Sequence, residues 1–134
     1  TMNIVETSIK MVGTPENDLM IADPEGSKIF AKGGLNYVEL GDGSDEVYNS
    51  LCSTDSIDGK VGVVKGFNLK KDKLKIFCTK KTVSSDDIRV IHDKLGDVDI
   101  TYVEVTGENK ISVIALLGDI SIEPTDIILN EAWS

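Results

Sequence analysis

The sequence predicts an all-β fold: a short parallel β-roll of nine-residue repeats that continues into an antiparallel β C-terminal cap. Three observations predict it. Asp18, Ser27, Asn36 and Asp45 stand nine residues apart, and each carries a small oxygen-bearing side chain. Met20, Ile29, Val38 and Val47 repeat that spacing two places later with apolar side chains. Beyond Lys60 the chain turns to short β-branched runs separated by Gly, Asn and Asp, a strand pattern with little helix signal. A fixed short period marks a repeat architecture, and nine is the period of a parallel β-roll. With 40% apolar residues, four apolar hits in one register arise by chance about once in forty trials.

The elements follow in order within one domain, residues 1–134. Residues 1–12 form an N-terminal cap, with Ile4 to Val12 reading as a β-branched strand. Residues 13–56 hold the repeats. Thr14-Pro15-Glu16-Asn17-Asp18-Leu19-Met20-Ile21-Ala22 is echoed by Asp23-Pro24-Glu25-Gly26-Ser27-Lys28-Ile29-Phe30-Ala31, with Pro, Glu and the closing Ala in matching places. Two further units run from Lys32 to Leu40 and from Gly41 to Asn49. From Ser50 to Lys60 the register fades. Asp55 and Ile57 keep the Asp-x-apolar spacing one place late, a slip that ends the repeat or inserts a bulge. Residues 57–134 form the β cap. Val61 to Phe67 and Leu74 to Phe77 read as strands around a turn at Asn68 to Lys73. Ser84 to Asp87 has the chemistry of a helix cap, but the β-branched Ile88 to Ile91 that follows favours a strand. Ile100 to Val105 and Ile111 to Leu117 flank Gly107-Glu108-Asn109 as a hairpin. Ile120 to Ile122 and Asp126 to Leu129 complete the strands.

At 134 residues the chain suffices for one domain with a core. Its net charge of −9 disfavours nucleic acid or an anionic membrane surface as a partner. No apolar run approaches the roughly 20 residues of a membrane span. Cys52 and Cys78 form no CxxC pair, and two thiols alone make no zinc site. They suit either one disulfide or two unpaired buried thiols. His92 is the lone histidine, and no GxSxG, HExxH or phosphate-loop pattern accompanies it, so the chain reads as a non-enzyme.

The repeats suggest cation chemistry. Calcium takes six to eight oxygens, mixing carboxylates with backbone carbonyls. Glycine-containing turns aim carbonyls inward, and an Asp closing the turn adds charge. The candidate residues in such turns are Asp45 with Gly41 and Gly43, Asn36 with Gly34, Asp18 and Ser27. The competing reading of these residues is turn chemistry, with short polar side chains bonding the local backbone.

These residues resemble the RTX (hemolysin-type) calcium-binding repeats, whose consensus is G-G-x-G-x-D-x-U-x with U apolar. Gly41-Asp42-Gly43-Ser44-Asp45-Glu46-Val47 fits G-x-G-x-D-x-U, and Gly13 to Met20 looks like the common opening G-T-x-G-N-D-x-L. Val63 to Ile76 and Ile114 to Leu129 look like segments that follow the roll in serralysin-type C-terminal domains. The resemblance implies that alternate units stack, Asp18 on Asn36 and Ser27 on Asp45, and that Asp72 helps a terminal site. It implies a non-catalytic calcium-binding module of an exported bacterial protein, secreted or at the cell surface. Such a module folds on calcium and is covalently linked to a catalytic or toxin domain.

The sequence also departs from that pattern. Each stacked pair has one carboxylate and one neutral oxygen, which implies weaker affinity. Glu16 and Glu25 replace the inner glycine of two turns. Either those turns are rebuilt around Pro15 and Pro24, or the glutamates are extra ligands. The alternative function is therefore a degenerate, metal-free β-roll that serves as a scaffold, adhesion, or protein- or glycan-interaction module.

Overall fold

A computed structural model describes residues 2–32, 34–50, 62–78, 80–106 and 111–134. The register slip at Asp55 and Ile57, and any pairing of Cys52, lie outside these residues. Twelve strands are described: β1 (Asn3–Ile4), β2 (Lys10–Val12), β3 (Asp18–Ile21), β4 (Lys28–Phe30), β5 (Tyr37–Glu39), β6 (Glu46–Ser50), β7 (Val63–Lys65), β8 (Lys73–Phe77), β9 (Ile88–Leu95), β10 (Val98–Thr106), β11 (Ile111–Leu117) and β12 (Ile128–Leu129). The only helical pieces among them are two three-residue 3₁₀ turns.

Successive strands from β1 to β8 alternate between two sheets. One sheet runs β12-β8-β6-β4-β2 and is parallel throughout. The other runs β1-β3-β5-β7-β11-β10-β9, parallel as far as β11 and antiparallel beyond it. The register follows the apolar repeat. Met11 pairs with Ile29 and Ile29 with Val47, while Met20 pairs with Val38, always two nine-residue units apart. Alternation then turns one residue per strand toward the space between the sheets. Met11, Met20, Ile29, Val38 and Val47 are all at most 1% exposed.

Two boundaries differ from the sequence expectation. Ile4 to Val12 is not one cap strand, because β1 and β2 join different sheets. The parallel columns also do not stop at residue 56. Val38 pairs with Val64, and Val47 with Leu74, so the same core columns run on to Phe77. A longer connection between β6 and β7 changes the sequence step but not the side-chain phase, so Val64 and Leu74 remain buried. Among the described strands, antiparallel pairing is confined to β9, β10 and β11.

The expected hairpin is present as β10 and β11, and Gly96 (φ 64°) opens the tight turn between β9 and β10. Ser84 caps a 3₁₀ turn that leads into β9, so both signals at Ser84 to Ile91 are expressed. Ile120 to Ile122 forms no strand. The buried Thr101 hydroxyl donates to Gly118 O and accepts from Ile120 N, drawing that segment out of a ladder. Val103, Val105, Ile114 and Leu116 extend the same core into the antiparallel part. No helix of the described residues is long and apolar enough to cross a membrane.

The outer faces differ in chemistry. Across the seven-stranded sheet, Leu19, Tyr37, Val63, Ala115, Tyr102 and Ile91 line up in register, all half-buried. On the five-stranded sheet the outward rows are Lys10-Lys28-Glu46-Lys73 and Val12-Phe30-Tyr48-Lys75. Burial opposes the charge on Lys75. The Glu46 carboxylate at 2.9 Å and the Tyr48 hydroxyl at 3.3 Å outweigh it and push the ammonium up to about 12.

Because β2 to β5 each bury a single apolar side chain, a truncation there cannot be repacked by a neighbour in the same strand. Ile29→Ala should lose about 2–5 kcal/mol in a denaturant melt. Ile4→Ala, on a strand where the side chain is 82% exposed, should change stability by less than about 0.5 kcal/mol.

Candidate functional site at the turns

The oxygen-bearing register becomes a ladder of side-chain to backbone hydrogen bonds. Each member stands at or just before the start of a strand, and each is buried: Asp18, Ser27, Asn36, Asp45 and Asp72 are at most 3% exposed. They form two columns, one per sheet. Asn36 Oδ1 accepts from Asp18 N at 2.9 Å in the first. In the second, Asp45 Oδ1 accepts from Ser27 N at 2.7 Å, and Asp72 Oδ1 accepts from Asp45 N at 3.0 Å. The expected stacking of Asp18 with Asn36 and of Ser27 with Asp45 is therefore present, and it joins each turn to the next through the backbone.

The same side chains also close their own turns, reaching four residues back. Asp18 accepts from Thr14 N and from the Thr14 hydroxyl, both at 2.8 Å. Ser27 Oγ accepts from Asp23 N at 2.8 Å and donates to Ser8 O at 2.6 Å. Asn36 Nδ2 donates to Lys32 O at 3.0 Å, and Asp72 Oδ2 accepts from Asn68 N at 2.8 Å. These are the Asx- and ST-type turns in which short polar side chains substitute for a backbone bond.

Glu16 and Glu25 sit in rebuilt turns. Thr14 Oγ1 accepts from Glu16 N and Asp23 Oδ1 from Glu25 N, and both glutamates are exposed. Among the described residues only Asn130 combines a side chain with positive φ, so neither glutamate adopts a glycine conformation. Of the three glycines in the expected half-sites, Gly34, Gly41 and Gly43, two have a packing reason. Gly34 (φ 84°) lies over the Glu16 carbonyl, where an added Cβ would come within 2.6 Å of backbone. Gly43 packs on the Glu25-Gly26 peptide so closely that a Cβ would collide with it. Gly41 has open space around it.

Asp45 is the exception in the ladder. Its Oδ2 is buried and makes no hydrogen bond among the described residues. Four residues back, the Gly41 carbonyl accepts from Lys71 Nζ at 2.6 Å. Burial pushes the Asp45 carboxyl above its usual range. The nearby Asp72 carboxylate adds to the rise, against the Ser27 and Gly41 backbone amides and the Lys71 ammonium. An open cleft of about 230 Å³ adjoins this carboxylate, with Glu25 and Glu46 on its wall but also Lys71 and Lys73.

The fit of a calcium ion to these residues can be tested on the oxygens. Both carboxylate oxygens of Asp18 and of Asp72 are already held by N–H or O–H donors. The Gly41 carbonyl is held by an ammonium. Among the ladder carboxylates one oxygen, on Asp45, is left without a donor, against the six to eight oxygens calcium takes. Among the described residues, no three of His, Cys, Asp and Glu gather as a metal group.

Away from the turns, His92 Nδ1 lies 3.2 Å from Asp119 Oδ1 on the surface. Thr101 nearby has its hydroxyl committed at both ends and is fully buried. Cys78 is half-buried, and its Sγ accepts from Lys80 N. Sequence reasoning did not single out Thr14, Asn68 or Lys71. The available signal was position: Thr14 and Asn68 each stand four residues before a ladder aspartate. Compared with known protein families and with curated proteins, the chain matches no family model and no curated sequence.

A raised carboxyl pKa in the folded state means that folding favours the protonated form. The stabilisation it brings is full below the unfolded value and is lost as pH rises through the folded one. Asp45→Asn keeps the acceptor for Ser27 N and removes the buried charge. It should raise stability at pH 7 by about 1 kcal/mol, a few degrees of melting temperature. The gain should shrink as pH falls through the raised folded value toward about 4 and be gone below it, read by melts across that range. Asp45→Ala removes the acceptor as well and should destabilise.

Proposed function

We propose that this chain is a non-catalytic β-roll module whose turns are held by their own side chains, a metal-independent scaffold descended in pattern from a calcium-binding roll. The observation that carries the reading is the ladder. The side chains that would ligate an ion in the RTX family serve here as acceptors for the backbone of the next coil. The Lys71 ammonium puts a fixed positive charge at the turn of the best-preserved half-site. A fixed cation beside Asp45 offsets part of the carboxylate charge that a bound ion would otherwise neutralise. The role left to such a module is to hold a rigid pair of sheet faces for contact with proteins or glycans. Export as part of a larger bacterial protein belongs to the same reading and rests on the family resemblance.

The second reading is a single residual calcium site at Asp45, favoured by its buried oxygen without a donor. One experiment separates the two. Protein stripped with chelator is melted with and without millimolar calcium, alongside Asp45→Ala. The metal-independent module melts cooperatively in chelator, and calcium leaves the melting temperature unchanged. A loose chain in chelator, or a calcium-induced rise that Asp45→Ala abolishes, overturns it in favour of the calcium site.

A further inference from the structure

The described sheets end in β1, β2, β9 and β12, and three of these edges are short. β1, β2 and β12 have two or three residues each, whereas β9 has eight. A short edge offers little backbone to a partner, and a long one is a template for pairing. The direction of the free backbone groups of β9 follows from the hairpin. Gly118 N donates to Asp99 O at 2.7 Å, so Asp99 and Thr101 face β11 while Ile100, Tyr102 and Glu104 face β9. Those three pair with Asp93, Ile91 and Arg89. Val90, His92 and Lys94 therefore aim their N–H and C=O groups at the open side. The Asp93 carboxylate accepts from Lys94 N at 2.7 Å, and no strand among the described residues pairs with Val90 or His92 there.

The side chains along this edge complement their own mirror order. Arg89, Ile91 and Asp93 share the outer face, with Ile91 half-buried at the end of the apolar row and the two charges exposed. Arg89 stands opposite Glu104 across the ladder and makes no ion pair among the described residues. An antiparallel copy of the strand, centred on Ile91, sets Arg89 opposite Asp93, Asp93 opposite Arg89, and Ile91 opposite itself. Charges on an edge usually guard it against pairing. Here they have opposite signs at matched positions. Centring on Arg89 or on Asp93 would set like charges opposite, and a shift of one residue would set Asp93 against Ile91, so the charges select one register.

We propose that this chain pairs with a second copy of itself through β9, edge to edge and antiparallel, about a two-fold axis at Ile91. A two-fold normal to the sheet keeps both outer faces on one side, so the apolar row that ends in Tyr102 and Ile91 continues into the row of the second copy. Val90 and His92 exchange N–H to carbonyl bonds with His92 and Val90 of the second copy. Arg89, Ile91 and Asp93 then occupy the non-hydrogen-bonded positions, where facing side chains lie closest. At the Ile88 end the turn Pro124–Asp126 lies beside β9, so the pairing runs from Arg89 to Asp93. A contact of that size belongs to the weak end of protein association. Pairing at β9 is independent of whether the turns bind metal, since β9 carries no ladder residue.

The test is sedimentation of the full chain up to about 1 mM, enough to populate a weak complex. The wild type should show a concentration-dependent dimer. Arg89→Asp and Asp93→Arg, each checked for folding by circular dichroism, set like charges opposite across the axis. Each alone should weaken the dimer about tenfold or more. Mixed in equal amounts, the two variants again set opposite charges across the axis and should form a heterodimer. Amide exchange probes the same edge without substitution. The Val90 and His92 amides should slow as concentration rises, while those of Arg89 and Ile91, already bonded to β10, should change far less. A wild type that stays monomeric throughout overturns the proposal. So does a dimer that neither substitution weakens, or one that the mixture fails to restore. If either variant fails to fold, the exchange rates decide: a dimer that leaves Val90 and His92 exchanging at one rate at every concentration does not use this edge.

Discussion

Each coil of this chain must place one apolar side chain between the sheets and one polar side chain at the turn before the strand. The hydrogen bonds from Asn36 to Asp18 N, Asp45 to Ser27 N and Asp72 to Asp45 N hold those two demands in phase. A slip by one residue would turn Ile29 and Val47 to solvent and bring their charged neighbours inward. The ladder opposes that slip, since it would strand buried carboxylates and amides without partners. The core and the ladder therefore specify the same register. The long connection between β6 and β7 leaves it intact: Val64 and Leu74 return to the columns of Val38 and Val47, and Asp72 returns to the column of Asp45.

Using side chains as backbone acceptors sets the electrostatics of the turns. Asp18 and Asp72 are buried but saturated with donors, which is how a protein keeps a carboxylate out of water at moderate cost. Asp45 accepts on one oxygen only and has Asp72 as its neighbour, so the carboxylate is held at some expense. Lys71, anchored on the Gly41 carbonyl, offsets part of it. At this position the raised carboxyl pKa couples folding stability to pH.

The two sheets end in different ways. The seven-stranded sheet closes on the antiparallel strands β9 to β11, which lengthen its outer apolar row. The five-stranded sheet is bordered by β12, and Trp133 then covers part of its outer face. Phe30, Tyr48 and Phe77 would otherwise form an exposed aromatic stripe on a parallel sheet. Trp133 shields it, and Lys75, paired with Glu46 and Glu131, ties that segment to the strand beneath. The closing segment therefore shields apolar surface on one sheet without adding to the core.

The pairing of Asp18 with Asn36 and of Ser27 with Asp45 was implied by the family resemblance, whereas the nine-residue period by itself determined the strand class and the buried set Met20, Ile29, Val38 and Val47. Side-chain alternation and chain length dictate these wherever a fixed period is kept. The hairpin of β10 and β11 was legible for the same reason, as local alternation around a turn. Only the tertiary structure decided what the polar register does. Whether an aspartate oxygen faces an ion or an amide depends on donors four residues back and one coil away, and on Lys71 reaching across to Gly41. Only the tertiary structure carried the parallel columns on to Phe77, because a long connection erases the period in sequence while leaving the register in space. It alone also placed Trp133 on Phe30 and Tyr48, since contacts between residues about a hundred positions apart leave no trace in any local pattern.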